Sequence, residues 1–152
     1  MKRLGWAGVK LQSTKGLNMT QTIQQQRAKY ALDKITALKT LYPNPEEKEK
    51  QKAFEKEFVS YASGLPAMIH TNGLGQAMAF CKLKGKDRTA YKKLYELIST
   101  WLCQSPQVYA GCNDILNGIT TKNMQSYQLA QAETLVLMSW VKKFAKAFLA
   151  EE

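Results

Sequence analysis

Between Ser60 and Cys81 the chain carries no Asp, Glu, Lys or Arg, although these types make up 22% of its 152 residues. An uncharged run of that length belongs either in lipid or inside a fold. Pro66, Asn72, Gln76 and the glycines at 64, 73 and 75 make it too polar to span a bilayer. Met68, Ile69, Leu74, Met78 and Phe80 point in several directions on a helical wheel, which is the pattern of a helix buried on all sides at the centre of a bundle. Gly64-Leu65-Pro66 reads as its start and Leu83 as its end, while Gly73 and Gly75 let a neighbouring helix come close.

The flanking segments are helical as well. From Thr20, the residues Ile23, Tyr30, Ile35, Leu38 and Leu41 suit one face of a helix that Tyr42-Pro43 stops. Asn44 as a cap and Pro45 in the first turn restart the chain, with Glu46 and Glu47 at the positive helix end. The alternating charges from Glu46 to Glu57 predict a solvated helix, anchored by Ala53, Phe54, Phe58, Tyr61 and Ala62 in its second half. Asp87 reads as the cap of a helix whose stripe is Tyr91, Leu94, Tyr95, Ile98, Trp101 and Leu102. A short helix is expected around Tyr109–Leu116. Asn123 opens the last and longest helix, with Tyr127, Ala130, Leu137, Met138, Val141, Phe144, Ala145 and Phe148 on one face. No strand pattern competes, so the expected fold is all-α: a compact bundle of five to six helices with a central charge-free helix, one domain over residues 19–152.

Twenty-two Lys and Arg against 12 Asp and Glu give a net charge of +10, which calls for an anionic partner such as nucleic acid, a membrane surface or an acidic protein. Six of the basic residues, Lys82, Lys84, Lys86, Arg88, Lys92 and Lys93, fall in twelve positions that hold Asp87 as their one acid. On the last helix Lys142, Lys143 and Lys146 form a short stripe off the apolar face, suited to a phosphate backbone. Arg27 and Lys34 sit near the middle of the first helix's apolar stripe, where charge is costly. Either an internal carboxylate pairs with Arg27, with Glu133 the expected mate, or that face receives a partner.

Residue types for catalysis are sparse. His70 is the one histidine, the acids are concentrated in the solvated helix, which holds five of the twelve, and no phosphate loop, H-E-x-x-H pair or G-x-S-x-G elbow occurs. Cys81, Cys103 and Cys112 contain no C-x-x-C pair, so free thiols in a reducing compartment are expected, without a metal or other cofactor. A soluble, cytoplasmic protein follows, because Leu4–Val9 is too short for a secretory core. Residues 1–18, with four positive charges and no acid, read as a basic arm, a stretch ahead of a start at Met19, or a remnant of cloning. Two function classes are open to the residues alone: a stand-alone architectural nucleic-acid-binding protein, and a small enzyme using His70 with a cysteine.

The string Y-A-S-G-L-P-A-M-I-H-T-N-G-L-G-Q-A-M-A-F, Tyr61 to Phe80, resembles the signature of the small helical subunit of the type III-B CRISPR effector, the Cmr complex. Gln26-Arg27-Ala28, Tyr91…Leu94…Trp101-Leu102 and Tyr127…Ala130…Glu133…Trp140-Val141-Lys142-Lys143-Phe144-Ala145 fit as well, so the likeness spans about Thr20 to Ala150. It implies a non-catalytic subunit, several copies of which stack as a minor filament beside the backbone and large subunits. Basic surfaces would then hold guide and target RNA while other subunits cut. The resemblance carries over most readily to Arg27 and the Lys142-Lys143 pair. The Lys82–Lys93 cluster and Lys34 rest on charge alone.

Overall fold

The computed structural model describes residues 21–151, all in helices and their connections. The expectations for residues 1–18 and for Met19 lie outside the described residues. The helices are α1 (Ile23–Leu38), α2 (Lys48–Lys84), α3 (Thr89–Leu102), α4 (Ile115–Thr121) and α5 (Met124–Phe148), with a 3-10 turn at Pro45–Glu47 ahead of α2. The expected all-α architecture is present, and α2 is its middle element, packed against α3, α4 and α5.

Local chemistry sets the helix ends. Thr22 accepts from the Gln25 backbone N–H at 3.1 Å while its own N–H donates to the Gln25 side chain at 2.8 Å, a reciprocal cap that starts α1. The Gln51 amide then clamps the other end, donating to Leu38 O and accepting from Tyr42 N, both at 2.9 Å. This ends the helix before Tyr42-Pro43 is reached. Asn123 caps α5 through Ser126 N at 2.9 Å. Two expected caps differ. Arg88, not Asp87, holds the cap position of α3, and Asn44 makes no side-chain cap bond.

The charge-free run is not a separate helix. Gly64-Leu65-Pro66 lies inside α2, and the break falls at Gly73, where φ is 87° and ψ 160°. Pro66 removes one backbone bond, but Leu65 and Ile69 on either side are buried, and burying each contributes about 2 kcal/mol, which keeps the helix intact. At Gly73 the chain needs a left-handed residue, and a Cβ there would sit 3.0 Å from the Tyr127 hydroxyl. Beyond the break α2 begins again with free N–H groups: Leu74 N donates to Gln131 Oε1 and Gly75 N to the Tyr127 hydroxyl, both at 2.9 Å. Side chains of α5 thus cap the second half of α2. The run is also not buried on all sides, for His70, Thr71, Asn72, Gln76 and Ala79 face solvent while Ala62, Leu65, Ile69, Leu74, Ala77, Met78 and Cys81 face inward.

The short fourth helix starts six residues later than the spacing suggested. Gly111 turns the chain at φ 89°, and Asp114 caps the helix through Asn117 N at 3.0 Å. The Tyr95 hydroxyl holds the other oxygen of Asp114 at 2.9 Å. Tyr109, expected in that helix, fills the core from the preceding turn instead. Of the stripe read for α3, Leu94, Tyr95, Ile98, Trp101 and Leu102 are all in the core, and Tyr91 is half-buried against it.

Candidate nucleic-acid interface

The outward face of α3 follows from its inward one. With Leu94, Tyr95 and Ile98 facing α2, helical geometry turns Lys92, Lys93, Glu96 and Thr100 outward as a ridge. Each flank of this ridge is a groove of about 320 Å3. The first runs between α3 and the end of α2, lined by Cys81, Lys82, Gly85, Lys86, Lys92, Tyr95 and Glu96. Its floor is narrow because Gly85 lets the chains meet: a Cβ there would lie 3.1 Å from Lys92 Cα and 3.0 Å from Cys81 O. The second runs between α3 and α1, lined by Lys34, Ala37, Leu38, Lys93, Glu96, Leu97 and Thr100. Glu96 stands on both.

The fold therefore gathers Lys34, Lys82, Lys86, Lys92 and Lys93 from three helices and one turn onto two adjoining grooves. Lys93 Nζ lies 3.6 Å from Glu96. Among the described residues the other four have no carboxylate within ion-pair distance. Lys82 rests its ammonium 4.9 Å from the centre of the Tyr95 ring and Lys34 lies 5.4 Å from that of Tyr30, contacts that keep both charges in solution. Lys34 is thus exposed at the edge of α1, not embedded in a stripe; the buried face of that helix is Ala31, Ile35 and Leu38. Lys82 and Lys84 also occupy the last turn of α2, where the helix dipole favours cations, and Lys84 lies over Phe80. Arg88 turns away to Glu57 at 3.0 Å.

Beneath the ridge the packing is aromatic. Tyr91 stacks on Tyr61 with centroids 3.8 Å apart and meets Phe80 edge-on at 5.5 Å, fixing the start of α3 to both halves of α2. Burial pushes the Cys81 thiol at the floor of the first groove up to about 12 and raises that of Cys103 as well. Both stay protonated at neutral pH and are poor nucleophiles. His70 is exposed on α2, away from either groove.

The remaining candidates sit elsewhere. Arg27 forms a two-pronged bond to Glu133, Nε to Oε2 at 2.7 Å and a terminal nitrogen to Oε1 at 2.8 Å, which is the internal pair expected from the sequence. Glu133 also accepts from the Trp101 indole at 2.8 Å, while Gln24 accepts from Arg27 at 3.0 Å and from the Trp140 indole at 3.2 Å. These bonds tie α1, α3 and α5 together, and they leave the Arg27 side chain 14% exposed. Glu133 holds the Arg27 guanidinium above its ordinary pKa, so it stays charged. Lys142, Lys143 and Lys146 lie on α5, no residue of which lines either groove.

Sequence reading missed Gly85, Tyr95 and Glu96 as members of the site, because each was read for the fold or passed over. The spacing Lys92-Lys93-Glu96 was the available signal, since it puts all three on one side of α3. Among the described residues no helix is long and apolar enough to cross a membrane, and no three His, Cys, Asp or Glu side chains converge as a metal site requires.

A family model described as CRISPR-associated protein (Cas_Cmr5) matches residues 23–148, from the first residue of α1 to the last of α5. The match covers the whole helical bundle, and the chain belongs to this family, the small subunits of the type III-B CRISPR Cmr complex.

Proposed function

We propose that this subunit holds the guide–target RNA duplex of its complex by laying the α3 ridge along the phosphate backbone, with lysines of the two flanking grooves as the contacts. The observation that carries the reading is the convergence of Lys34 on α1 with Lys82, Lys86, Lys92 and Lys93, which are far from it in sequence. Compact ammonium groups on flexible stems neutralise phosphates without reading bases. That suits a duplex whose sequence is already specified by pairing with the guide. Its partners are guide RNA, target RNA, the backbone and large subunits and other copies of itself stacked in a minor filament, in the cytoplasm. The subunit supports cleavage by other subunits without supplying a catalytic group. The raised thiol pKa values and the isolation of His70 favour binding over chemistry.

The test is a pull-down followed by a salt titration. The tagged chain is expected to bring down backbone and large subunits with a short guide RNA, and their absence would refute the assembly reading. In the reconstituted complex each of Lys86→Ala and Lys92→Ala is expected to lower the slope of log K against log salt by roughly one. Tight, salt-dependent RNA binding by the chain alone would favour a stand-alone architectural protein instead.

A further inference from the structure

Glu96 is out of place on a surface that holds phosphates. Among the described residues it is the one acid lining either groove, and it lines both. Lys82, Lys86 and Lys92 stand on one side of it, Lys34 and Lys93 on the other. A carboxylate there cancels part of the field that the five lysines build and repels any phosphate brought close. The fold gives it little reason to be there. Its side chain is 48% exposed, so it fills no core space. Lys93 lies 3.6 Å away, too far for a hydrogen bond, and the two are three apart with the lysine nearer the helix start, the weaker order for such a pair. The carboxylate oxygens therefore stay open to another donor.

Few groups of a nucleic acid can supply that donor. Along the backbone the phosphate and ring oxygens only accept; the ribose 2′-hydroxyl alone donates, and deoxyribose lacks it. In an A-form duplex the 2′-hydroxyls lie in the wide, shallow minor groove, between the phosphates of the two strands. The α3 ridge has the same order in cross-section: lysines, an acid, lysines. Laid in that groove, its flanking lysines reach the phosphates on both sides while Glu96 at the crest faces the riboses between them. Thr100, one turn further on, continues the crest without adding charge. The guanine amine is a second donor in the same groove, but it occurs only at guanine. The 2′-hydroxyl recurs at every nucleotide, as a surface indifferent to base sequence requires.

We infer that Glu96 accepts a hydrogen bond from a ribose 2′-hydroxyl in the minor groove of the bound duplex, and that this carboxylate makes the ridge select RNA over DNA. The inference rests on the reading of the α3 ridge as the RNA surface. Lysines alone bind either polyanion, because a phosphate is the same in both. Glu96 weakens the hold on any duplex a little and returns the loss only where a 2′-hydroxyl is present.

The test compares two guide–target duplexes in the reconstituted complex, one of ordinary RNA and one with 2′-fluoro riboses throughout the paired region. Fluorine keeps the A-form shape and removes the donor, so shape and hydrogen bonding are read separately. Other subunits set a background preference for the ordinary duplex, and the quantity of interest is how Glu96→Ala changes it. The wild-type complex is expected to prefer ordinary RNA by roughly fivefold more than the Glu96→Ala complex does. The variant is also expected to bind the fluorinated duplex tighter than the wild type, because a repelling charge has gone. A preference identical in the two complexes overturns the inference, whether Glu96→Ala strengthens both duplexes equally, as a bare charge would, or weakens both equally, as a prop for Lys93 would. Salt slopes of Lys86→Ala and Lys92→Ala in the same assay separate the two levels. Lowered slopes with an unmoved preference refute the role of Glu96 alone, whereas unchanged slopes refute the RNA ridge and this inference with it.

Discussion

Arg27 and Lys92 carry the same charge, yet the fold uses them in opposite ways. Arg27 is enclosed by α1, α3 and α5 and meets Glu133 with two bonds. Lys92 stands on the α3 ridge with no acid within reach among the described residues. The first is a fastener, because its charge is spent on holding three helices together. The second keeps a field that an incoming phosphate can still use. A count of positive charges cannot separate the two, and what does separate them is whether a carboxylate is already in place.

If that division is right, stability and RNA affinity respond to different substitutions. The largest expected effect is at the fastener. Glu133→Ala leaves the Arg27 guanidinium and the Trp101 indole without their acceptor, and should cost about 3 kcal/mol, read as a loss of Tm in thermal unfolding. Replacing both Arg27 and Glu133 with Leu should recover most of that loss, since a buried pair is often matched by apolar packing. Next comes Gly73→Ala, where a left-handed residue and a Cβ 3.0 Å from the Tyr127 hydroxyl should cost about 2 kcal/mol in the same assay. Lys92→Ala should move stability by less than about 0.5 kcal/mol while lowering the salt slope of RNA binding by roughly one. The smallest effect is expected at Arg88→Ala: its exposed pair with Glu57 contributes no more than about 0.5 kcal/mol, measurable in denaturant titration at low salt. An Arg27→Ala chain that kept its stability but lost RNA would reverse the division.

Alkaline solution separates the regions as well. Burial pushes Cys81 up to about 12 in the fold, above its ordinary value near 9. The folded state therefore holds this proton more tightly than the unfolded one, and the stabilisation is complete below pH 9 and declines as pH rises from there toward 12. Urea titrations at stepped pH should show this decline in the wild type and a shallower one in Cys81→Ala.

Helix existence was legible wherever an apolar stripe repeated, as in α3 and α5, because burial of one face is what makes those segments helical. The breaks were not. Pro66 read as a helix boundary and Gly73 as a point of close approach inside the helix, since local chemistry ranks proline as the stronger breaker. Tertiary contacts reversed that order: Leu65 and Ile69 hold the helix through Pro66, while Tyr127 and Gln131 supply the acceptors that a new helix start at Leu74 needs. Those acceptors lie more than fifty residues downstream, beyond the reach of any local pattern. The Arg27–Glu133 pair could be anticipated, because a charge inside an apolar stripe demands a mate and Glu133 borders the apolar face of the last helix. The lysine grooves were half legible. The cluster from Lys82 to Lys93 is contiguous in sequence, but the placement of Lys34 beside Lys93 depends on how α1 crosses α3.

The two remaining sets of lysines offer the sharpest decision. The salt dependence of RNA-duplex binding would be measured for Cmr complex rebuilt with either of two combined variants, one with alanine at 34, 82, 86, 92 and 93, the other with alanine at 142, 143 and 146. The α3 reading predicts that the first set flattens the slope by several units and the second leaves it close to wild type. A slope unchanged by the first set and flattened by the second would move the RNA surface from the α3 ridge to the end of α5.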